Sequence, residues 1–196
     1  DCKTGNRTDS VSMNKTFYGG VFNSNGKDFY VNGGNNNWIE HFAFSKGKLK
    51  LVDTIFLGKP WPVKISPVGI CLDKKNEFLY TTTKEDSAIY QINLKTKKAK
   101  IFAKINSEGY SIIFDEKHNL LWVSEWGNSS IASFDITSGL LKNRIKVGSN
   151  PNEMIIDKKS NRIFVSCGND NSVHVVSTEE NIAKEILNTA IYPLSP

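Results

Sequence analysis

The sequence has little of what cross-linked, metal-binding or membrane-spanning proteins need. Its three cysteines, Cys2, Cys71 and Cys167, form no C-x-x-C pair, so neither a zinc ribbon nor covalently attached haem is supported. Cys71 stands between Ile70 and Leu72, and both it and Cys167 are predicted to be buried thiols. No apolar run is long enough for a transmembrane helix.

Catalytic signatures are also missing. The three histidines, His41, His118 and His174, share no metal-ligand spacing such as H-x-H or H-E-x-x-H. There is no G-x-S-x-G elbow for a nucleophilic serine and no phosphate-binding P-loop. We therefore predict no catalytic residue, no metal site and no cofactor in this sequence.

Arginine is scarce as well. The formal net charge of +5 invites a nucleic-acid interpretation, but of the 25 basic residues only Arg7, Arg144 and Arg162 are arginine. Bidentate readout of phosphate or guanine favours arginine, and a groove binder clusters its charge, whereas the lysines here are spread over turns and predicted outer strands. A solvated, lysine-rich surface is the favoured interpretation, and nucleic acid is not an expected partner.

What the sequence does contain is a unit of short strands. Residues 147–177 hold three apolar runs, at 154–156, 163–166 and 173–176, which are separated by polar turns, and a fourth candidate strand follows at 183–187. Short apolar runs with tight polar turns between them predict antiparallel strands. The unit is therefore predicted to be a four-stranded meander.

This unit recurs with a period of 42 residues. Three sets of positions keep that spacing: Asp73, Asp115 and Asp157; Tyr80, Trp122 and Phe164; and Ile89, Ile131 and Val173. The first copy is offset by 50 residues, because the connection 58–65 is eight residues longer. Such a period with four strands per repeat predicts an all-β fold, a β-propeller made of four-stranded antiparallel blades. The recurring aspartates stand directly before turns and are predicted to cap them.

The predicted organisation is a polar, flexible leader and one propeller domain. The leader covers 1–16 and the partial propeller 17–196, with blades at about 17–65, 66–107, 108–149 and 150–192. A single blade carries apolar residues on both faces, so each sheet is expected to be covered by its neighbours.

Several segments resemble a known family. The pattern V-G-x-x-P-x-x-x-I-x-D, followed by RIFVS and NDNSVHVV, at 147–176 resembles the YVTN-repeat β-propellers of bacteria and archaea. GKPWPVKISPVGICLD (58–73), the TKED turn (83–86), SEWGNSSIASFD (124–135) and NTAIYPLSP (188–196) are similar to the propeller that precedes an alkaline-phosphatase-like phosphoesterase domain in exported bacterial proteins. The resemblance covers about residues 17–196.

This resemblance implies a ring of about seven blades, of which four lie here in a fragment of a longer chain; a complete four-blade ring is the alternative. It also implies a periplasmic or extracellular location, with the remaining blades and a C-terminal domain as partners. Cys2, at the start of the leader, resembles the lipid-carrying cysteine of a bacterial lipoprotein. However, Asp1 is an unusual neighbour, and no hydrophobic signal region precedes it in this sequence.

In propellers, the connections between blades and the loops that join second and third strands emerge near the channel, where ligands usually bind. These places hold seven candidate ligand-binding residues: Trp61, Lys64, Lys84, Tyr110, Trp126, Asn152 and Asn169. For an aromatic residue such as Trp126, the alternative is packing on a neighbouring blade.

The favoured function is a non-catalytic binding or scaffold module that holds an unknown ligand or protein on its propeller face. The alternatives are a lactonase-like hydrolase with its site at the central channel and a nucleic-acid-binding propeller. A hydrolase predicts several carboxylates, histidines or a metal at one channel mouth, and a binding module predicts a mostly neutral, aromatic mouth. A nucleic-acid binder predicts one basic face and salt-sensitive affinity.

Overall fold

The computed structural model describes residues 3–13, 16, 19–60 and 62–189. Within them, sixteen strands form four antiparallel sheets, each made of four strands that are consecutive in the chain. Two single 3-10 turns, Gly34–Asn36 and Trp126–Asn128, are the only helical elements in this part of the chain. Cys2, Trp61 and the final segment 190–196 lie outside the described residues.

Each sheet corresponds to one predicted repeat, and we number the sheets as blades 1 to 4. Blade 1 contains β1 (Gly20–Phe22), β2 (Asp28–Asn32), β3 (Trp38–Ser45) and β4 (Lys48–Phe56). Blade 2 contains β5 (Pro67–Leu72), β6 (Phe78–Thr83), β7 (Ala88–Asn93) and β8 (Lys98–Lys104). Blade 3 contains β9 (Gly109–Asp115), β10 (Leu120–Glu125), β11 (Ser130–Asp135) and β12 (Leu141–Lys146). Blade 4 contains β13 (Pro151–Asp157), β14 (Arg162–Cys167), β15 (Ser172–Ser177) and β16 (Ile182–Asn188).

Alternation along the strands sends apolar side chains to both faces of a blade. In β6, Leu79 stands opposite Ile92 and packs toward blade 1, whereas Tyr80 stands opposite Gln91 and packs toward blade 3. A sheet with two apolar faces must be covered twice, because water on either face would leave that surface hydrated. The result is one apolar core between each pair of neighbouring blades.

The largest buried side chain of these cores is Trp122. It is 0% exposed and lies between blades 3 and 4, among residues that include Met154 and Ile163. Tyr80 occupies the repeat-equivalent place between blades 2 and 3 and is 2% exposed. Two of the positions that revealed the period in the sequence, Tyr80 and Trp122, therefore lie where neighbouring blades join.

The first strands of successive blades lie beside one another at the centre, with β5 between β1 and β9, and β9 between β5 and β13. Gly69 of β5 approaches β9 so closely that a Cβ atom would stand 2.5 Å from the Tyr110 carbonyl oxygen and 2.9 Å from the Ile112 nitrogen. Only glycine fits there without a backbone shift.

The turns also follow the period. Every turn inside a blade has a residue at positive φ at the same place, and these are Gly26, Asn76, Asn119 and Asn161; Asn37, Ser87, Ser129 and Asn171; and Gly47, Lys97, Gly139 and Asn181. Two turns of blade 1 have a second such residue, Gly34 and Lys46. Glycine and asparagine tolerate this conformation best, which explains why they fill the turns. The aspartates before the first turns cap them as predicted: Asp73 Oδ1 accepts hydrogen bonds from the N–H groups of Glu77 and Phe78 at 2.8 and 2.9 Å.

The long connection between blades 1 and 2 is held by one side chain. Asn37 Nδ2 donates hydrogen bonds to the carbonyl oxygens of Lys59 and Val63, at 2.9 and 2.6 Å, and its Oδ1 accepts from the N–H groups of Ile65 and Ser66. A single buried amide thus replaces the strand hydrogen bonds that this proline-containing segment cannot make.

Part of the leader contacts blade 1. Asp9 Oδ2 accepts a hydrogen bond of 2.8 Å from the N–H of Leu49, and the Lys48 ammonium donates to the Thr8 carbonyl at 3.3 Å. The flexibility of segment 1–16 stays a prediction, while these contacts place residues 8 and 9 beside the start of β4.

Candidate functional site

The turns between second and third strands lie at the same end of the blades as the connections between blades, and we call this end the upper face. The backbone joins the two kinds of segment in blades 2, 3 and 4: the N–H groups of Lys84, Trp126 and Gly168 donate to carbonyl oxygens 18 residues earlier, at 2.9, 2.8 and 3.1 Å. This bond fixes the turn of each blade against the connection that enters the same blade. Side chains of both segments are therefore placed near one another.

Two aromatic rings stack on the upper face of blade 3. The centroids of Tyr110, on β9, and Trp126, directly after β10, are 5.7 Å apart, and their planes differ by 23°. The Trp126 indole N–H donates a 3.1 Å hydrogen bond to Asn152 Oδ1 of blade 4. On the other side, the Lys84 ammonium of blade 2 lies 5.9 Å from the Tyr110 ring centroid. We call these four residues the upper-face strip.

Asparagines extend the strip into the turn of blade 4. Asn150 Nδ2 donates to the Trp126 carbonyl at 3.4 Å, and Asn169 Nδ2 donates to Asn150 Oδ1. The strip residues Lys84, Tyr110, Trp126 and Asn152 are all partly exposed. The site is thus an aromatic pair bordered by one ammonium group and several amides.

Five of the seven residues selected from the sequence meet in this arrangement: Lys84, Tyr110, Trp126, Asn152 and Asn169. Lys64 lies on the connection between β4 and β5 and is exposed. Trp61 lies outside the described residues, as does Cys2. Trp126 contacts the neighbouring blade through Asn152 and remains partly exposed, so its role in ligand binding stays a prediction.

A fully buried carboxylate supports the strip from below. Glu125, the last residue of β10, is 0% exposed and receives two hydrogen bonds from the Arg144 guanidinium, at 2.7 and 2.9 Å. Ser130 Oγ and the N–H of Asn106 also donate to it, at 2.7 and 2.9 Å. Burial raises the pKa of Glu125, but these hydrogen bonds outweigh burial and bring the pKa below its usual value.

Sequence reasoning did not find this pair, because Arg144 lies on an outer strand among surface lysines. The only available signal was its type, since it is one of three arginines in the chain. A planar guanidinium can bind both oxygens of a carboxylate, which an ammonium group cannot do with the same geometry.

The equivalent place in blade 4 holds a thiol and a histidine. A Cβ atom on Gly148 would stand 2.7 Å from Cys167 Cβ, 2.6 Å from Asp170 Oδ2 and 2.9 Å from His174 Nε2, so the three side chains surround this glycine. Burial raises the pKa of Cys167 to about 11 and lowers the pKa of His174. The thiol is therefore protonated at neutral pH and, being 0% exposed, is not placed as a nucleophile.

At the centre, the four first strands enclose a small groove of about 110 Å³. Its lining residues are Gly19, Gly20, Gly69, Ile70, Ser111, Ile112 and Glu153. Glu153 contributes the one carboxylate of this lining, and its Oε1 accepts a 2.7 Å hydrogen bond from Ser111 Oγ. Among the described residues, no group of three or more histidine, cysteine or acidic side chains is arranged to hold a metal ion.

Comparison with solved structures shows the fold. A protein of unknown function from Desulfotomaculum acetoxidans matches with a TM-score of 0.74 and 16% identity over 90% of this chain and 57% of its own. Hydrazine synthase from Kuenenia stuttgartiensis matches with a TM-score of 0.77 and 14% identity over 90% of this chain and 50% of its own. A chain of the nidogen/laminin complex matches with a TM-score of 0.70 and 16% identity over 87% of this chain and 62% of its own.

The four sheets and these matches confirm the predicted class of protein: the chain folds as blades of a β-propeller. It spans about half to three fifths of the length of the structures that it matches. No family model matches the sequence, and no curated protein matches it. In the part of the chain that the structure describes, no helix has both the length and the apolar character needed to cross a membrane.

Proposed function

We propose that this chain is a non-catalytic β-propeller module that binds a protein or another ligand through the upper-face strip. The stacked pair of Tyr110 and Trp126 carries the proposal. Aromatic rings lose little conformational freedom on binding and bury a large area, which is why they dominate binding surfaces. Here Trp126 is held twice, by Asn152 through its indole N–H and by Glu108 through its backbone N–H.

The hydrolase alternative receives less support from the central groove. Its walls offer glycines, two isoleucines, one serine and the single carboxylate of Glu153, and no histidine. Hydrolysis by a pair of groups needs a second acid, base or nucleophile within reach of the first. One solved structure with the same fold, at 13% identity, is described as a candidate 6-phosphogluconolactonase from Bacteroides uniformis. It suggests the substrate with which the hydrolase alternative can be tested.

We further propose that the module belongs to a longer exported bacterial protein of the YVTN-repeat type, next to a phosphoesterase domain, with further blades that complete the ring. The support is the sequence resemblance at 58–73, 124–135 and 188–196. One observation on blade 1 agrees with it. Phe22, which forms a ring cluster with Phe29 and Phe44, is 47% exposed on the face turned away from blade 2. The equivalent face of blade 2 is covered by blade 1.

The binding proposal is tested by selecting ligands from a phage-displayed peptide library on the wild-type chain. Selected peptides should bind the double variant Tyr110→Ala with Trp126→Ala at least tenfold more weakly than the wild type. Peptides that bind both proteins equally would show that the strip is not the binding surface. Matched control substitutions at Lys158 and Lys159, on turns at the opposite end of blade 4, should leave affinity unchanged.

The alternative is tested separately with 6-phosphogluconolactone as substrate. We expect the rate with the wild-type chain to equal the spontaneous rate. Turnover that is lost in Glu153→Gln would replace the binding proposal with the hydrolase. The longer-protein proposal is tested by reading the gene on both sides of the sequence: further repeats followed by a phosphoesterase region are expected, and their absence would overturn it.

A further inference from the structure

The outer strands of blades 2 and 3 differ in charge from those of blades 1 and 4, which contain Asp53 and Glu185. The outer strands there, β8 and β12, contain Lys98, Lys100, Lys104, Lys142, Arg144 and Lys146 and no acidic residue. Within the described residues, no carboxylate forms an ion pair with Lys98 or Lys100. Lys104 and Lys142, in contrast, approach Asp86 and Asp135 at 3.9 Å. Two lysines of β8 are thus uncompensated.

Two exposed leucines follow the turn of blade 3 that packs on β8, the strand of Lys98 and Lys100. Leu140 and Leu141, which follow the last turn of blade 3, are 65% and 45% exposed. The turn rests on β8, because a Cβ atom on Gly139 would stand 2.8 Å from the Phe102 carbonyl oxygen and 3.5 Å from its ring. Leu141 stands opposite Phe134, which packs in the same core as Phe102. We call Lys98, Lys100, Leu140 and Leu141 the rim patch.

A groove opens at the rim patch. It has a volume of about 430 Å³ and is lined by Phe78, Gln91, Asn93, Lys98, Ala99 and Lys100. Its walls combine an aromatic ring and amides with the two uncompensated ammonium groups. A surface that offers both positive charge and aliphatic side chains suits a partner that is negatively charged outside and apolar just beneath.

We propose that the rim patch binds the surface of an anionic lipid bilayer, with Leu140 and Leu141 entering the interface and Lys98 and Lys100 meeting lipid phosphates. The residue types favour lipid over nucleic acid. The charges are lysines, which act as point charges, and the exposed apolar residues are aliphatic, whereas single-stranded nucleic acid is held by aromatic stacking. This proposal is independent of the upper-face strip.

Blade 4 supplies a matched control within the same chain. Its outer strand exposes Ile182 and Ile186, at 46% and 61%, so the apolar content is similar. Its charges, however, are compensated, since Lys184 pairs with Glu180 and Arg162 pairs with Glu185 at 3.3 Å. If exposed apolar residues alone caused lipid binding, blade 4 would bind as well.

The test uses the whole 196-residue chain, expressed without lipid modification, and sedimentation with vesicles. One set of vesicles contains equal parts of phosphatidylcholine and phosphatidylglycerol, and the other contains phosphatidylcholine alone. We expect binding to the first set only, and weaker binding as salt is raised. The double variant Lys98→Gln with Lys100→Gln should bind roughly twenty-five-fold more weakly, since each lysine is expected to contribute about fivefold.

The double variant Leu140→Ser with Leu141→Ser should also lose binding, whereas Ile182→Ser with Ile186→Ser should bind like the wild type. All six substituted positions in the three double variants are exposed, so each variant should have the melting temperature of the wild type. This measurement shows directly whether a variant has lost its fold. Equal binding to both vesicle types, or no binding to either, would overturn the proposal. The proposal would also be overturned if the leucine variant kept its affinity and a single-stranded oligonucleotide competed with the vesicles. That result would show that the rim patch binds polyanions in general.

Discussion

The ends of the second strands in blades 3 and 4 have the same backbone and different chemistry. One repeat separates Glu125 from Cys167 and Arg144 from Ile186. In blade 3 the buried end is a carboxylate with three kinds of donor around it, and in blade 4 it is a buried thiol near a histidine. The comparison teaches that the repeat determines strand positions and turn conformation, while the buried polar groups belong to each blade separately.

A small residue permits the charged arrangement in blade 3. Ala132 stands directly opposite Arg144, which leaves room for the guanidinium to reach Glu125. In blade 4 the equivalent pair is His174 and Ile186, and the imidazole occupies that space. The buried charge, the side chain that donates hydrogen bonds to it and the space for that side chain therefore all differ between blades 3 and 4.

The largest effect is expected from removing the arginine of blade 3. Arg144→Met should lower the free energy of unfolding by about 3–5 kcal/mol, because it leaves the Glu125 carboxylate buried without its counter-charge. Urea unfolding followed by circular dichroism measures this change. The double variant Glu125→Leu with Arg144→Met should recover most of the loss, and equal instability of both variants would show that the charge is not the cause.

The second test transfers the pair of blade 3 into blade 4. Cys167→Glu with His174→Ala should be destabilised by its buried carboxylate, and adding Ile186→Arg should restore about 2 kcal/mol through charge-assisted hydrogen bonds. Stability is again measured by urea unfolding. If Ile186→Arg does not raise the free energy of unfolding, then the two blades differ in more than the buried charge, its donor and the space for that donor.

A smaller effect is expected where the two blades touch at the upper face. Asn152→Ala removes the acceptor of the Trp126 indole N–H and should cost about 1 kcal/mol. The measurement is the difference in fluorescence between each protein and its Trp126→Phe variant, in which the Trp126 emission should shift to longer wavelength. An unchanged emission would show that Asn152 does not hold the ring.

The smallest changes are expected in the pH dependence of stability. Glu125 has a folded-state pKa below its ordinary value of 4.5, so the unfolded state takes up its proton first as the pH falls. The stability that Glu125 contributes is present above pH 4.5 and is lost as the pH falls below that value. His174 has a pKa lowered from 6.5 by burial, so its contribution is present above pH 6.5 and is lost as the pH falls below it.

Two variants separate these pH windows. The pH profile of Glu125→Gln should be flatter than that of the wild type below pH 4.5, and the profile of His174→Gln should be flatter just below pH 6.5. Urea midpoints measured across pH give both profiles. Profiles parallel to that of the wild type would show that neither group is linked to folding.

The blades could be predicted from the sequence because they depend on local rules. Alternating apolar residues define strands, and asparagine or glycine at positive φ defines the turns. Aspartates such as Asp73 were recognised as caps because their hydrogen bonds stay within five residues. Cys71 and Cys167 were placed in the interior for their size and apolar neighbours, and both are buried.

The support beneath the candidate site could not be predicted in the same way. Glu125 and Arg144 are 19 residues apart, and their contact depends on the small Ala132 between them. The rim patch could not be predicted, because its lysines and leucines lie about 40 residues apart on different blades. The turn before Leu140 meets β8, the strand of Lys98, only because one blade packs on the next.

The cores between neighbouring blades have a consequence for how the molecule opens. Each blade is stabilised by the blades beside it, so cooperative units of unfolding follow the order of the blades, as in other repeat proteins. Blades 2 and 3 are enclosed on both faces, and amide protons of their central strands should exchange with deuterated water more slowly than those of β15. Under a protease or a pulling force, blades 1 and 4 should therefore unfold first. The free-energy barrier to unfolding should be higher for blades 2 and 3.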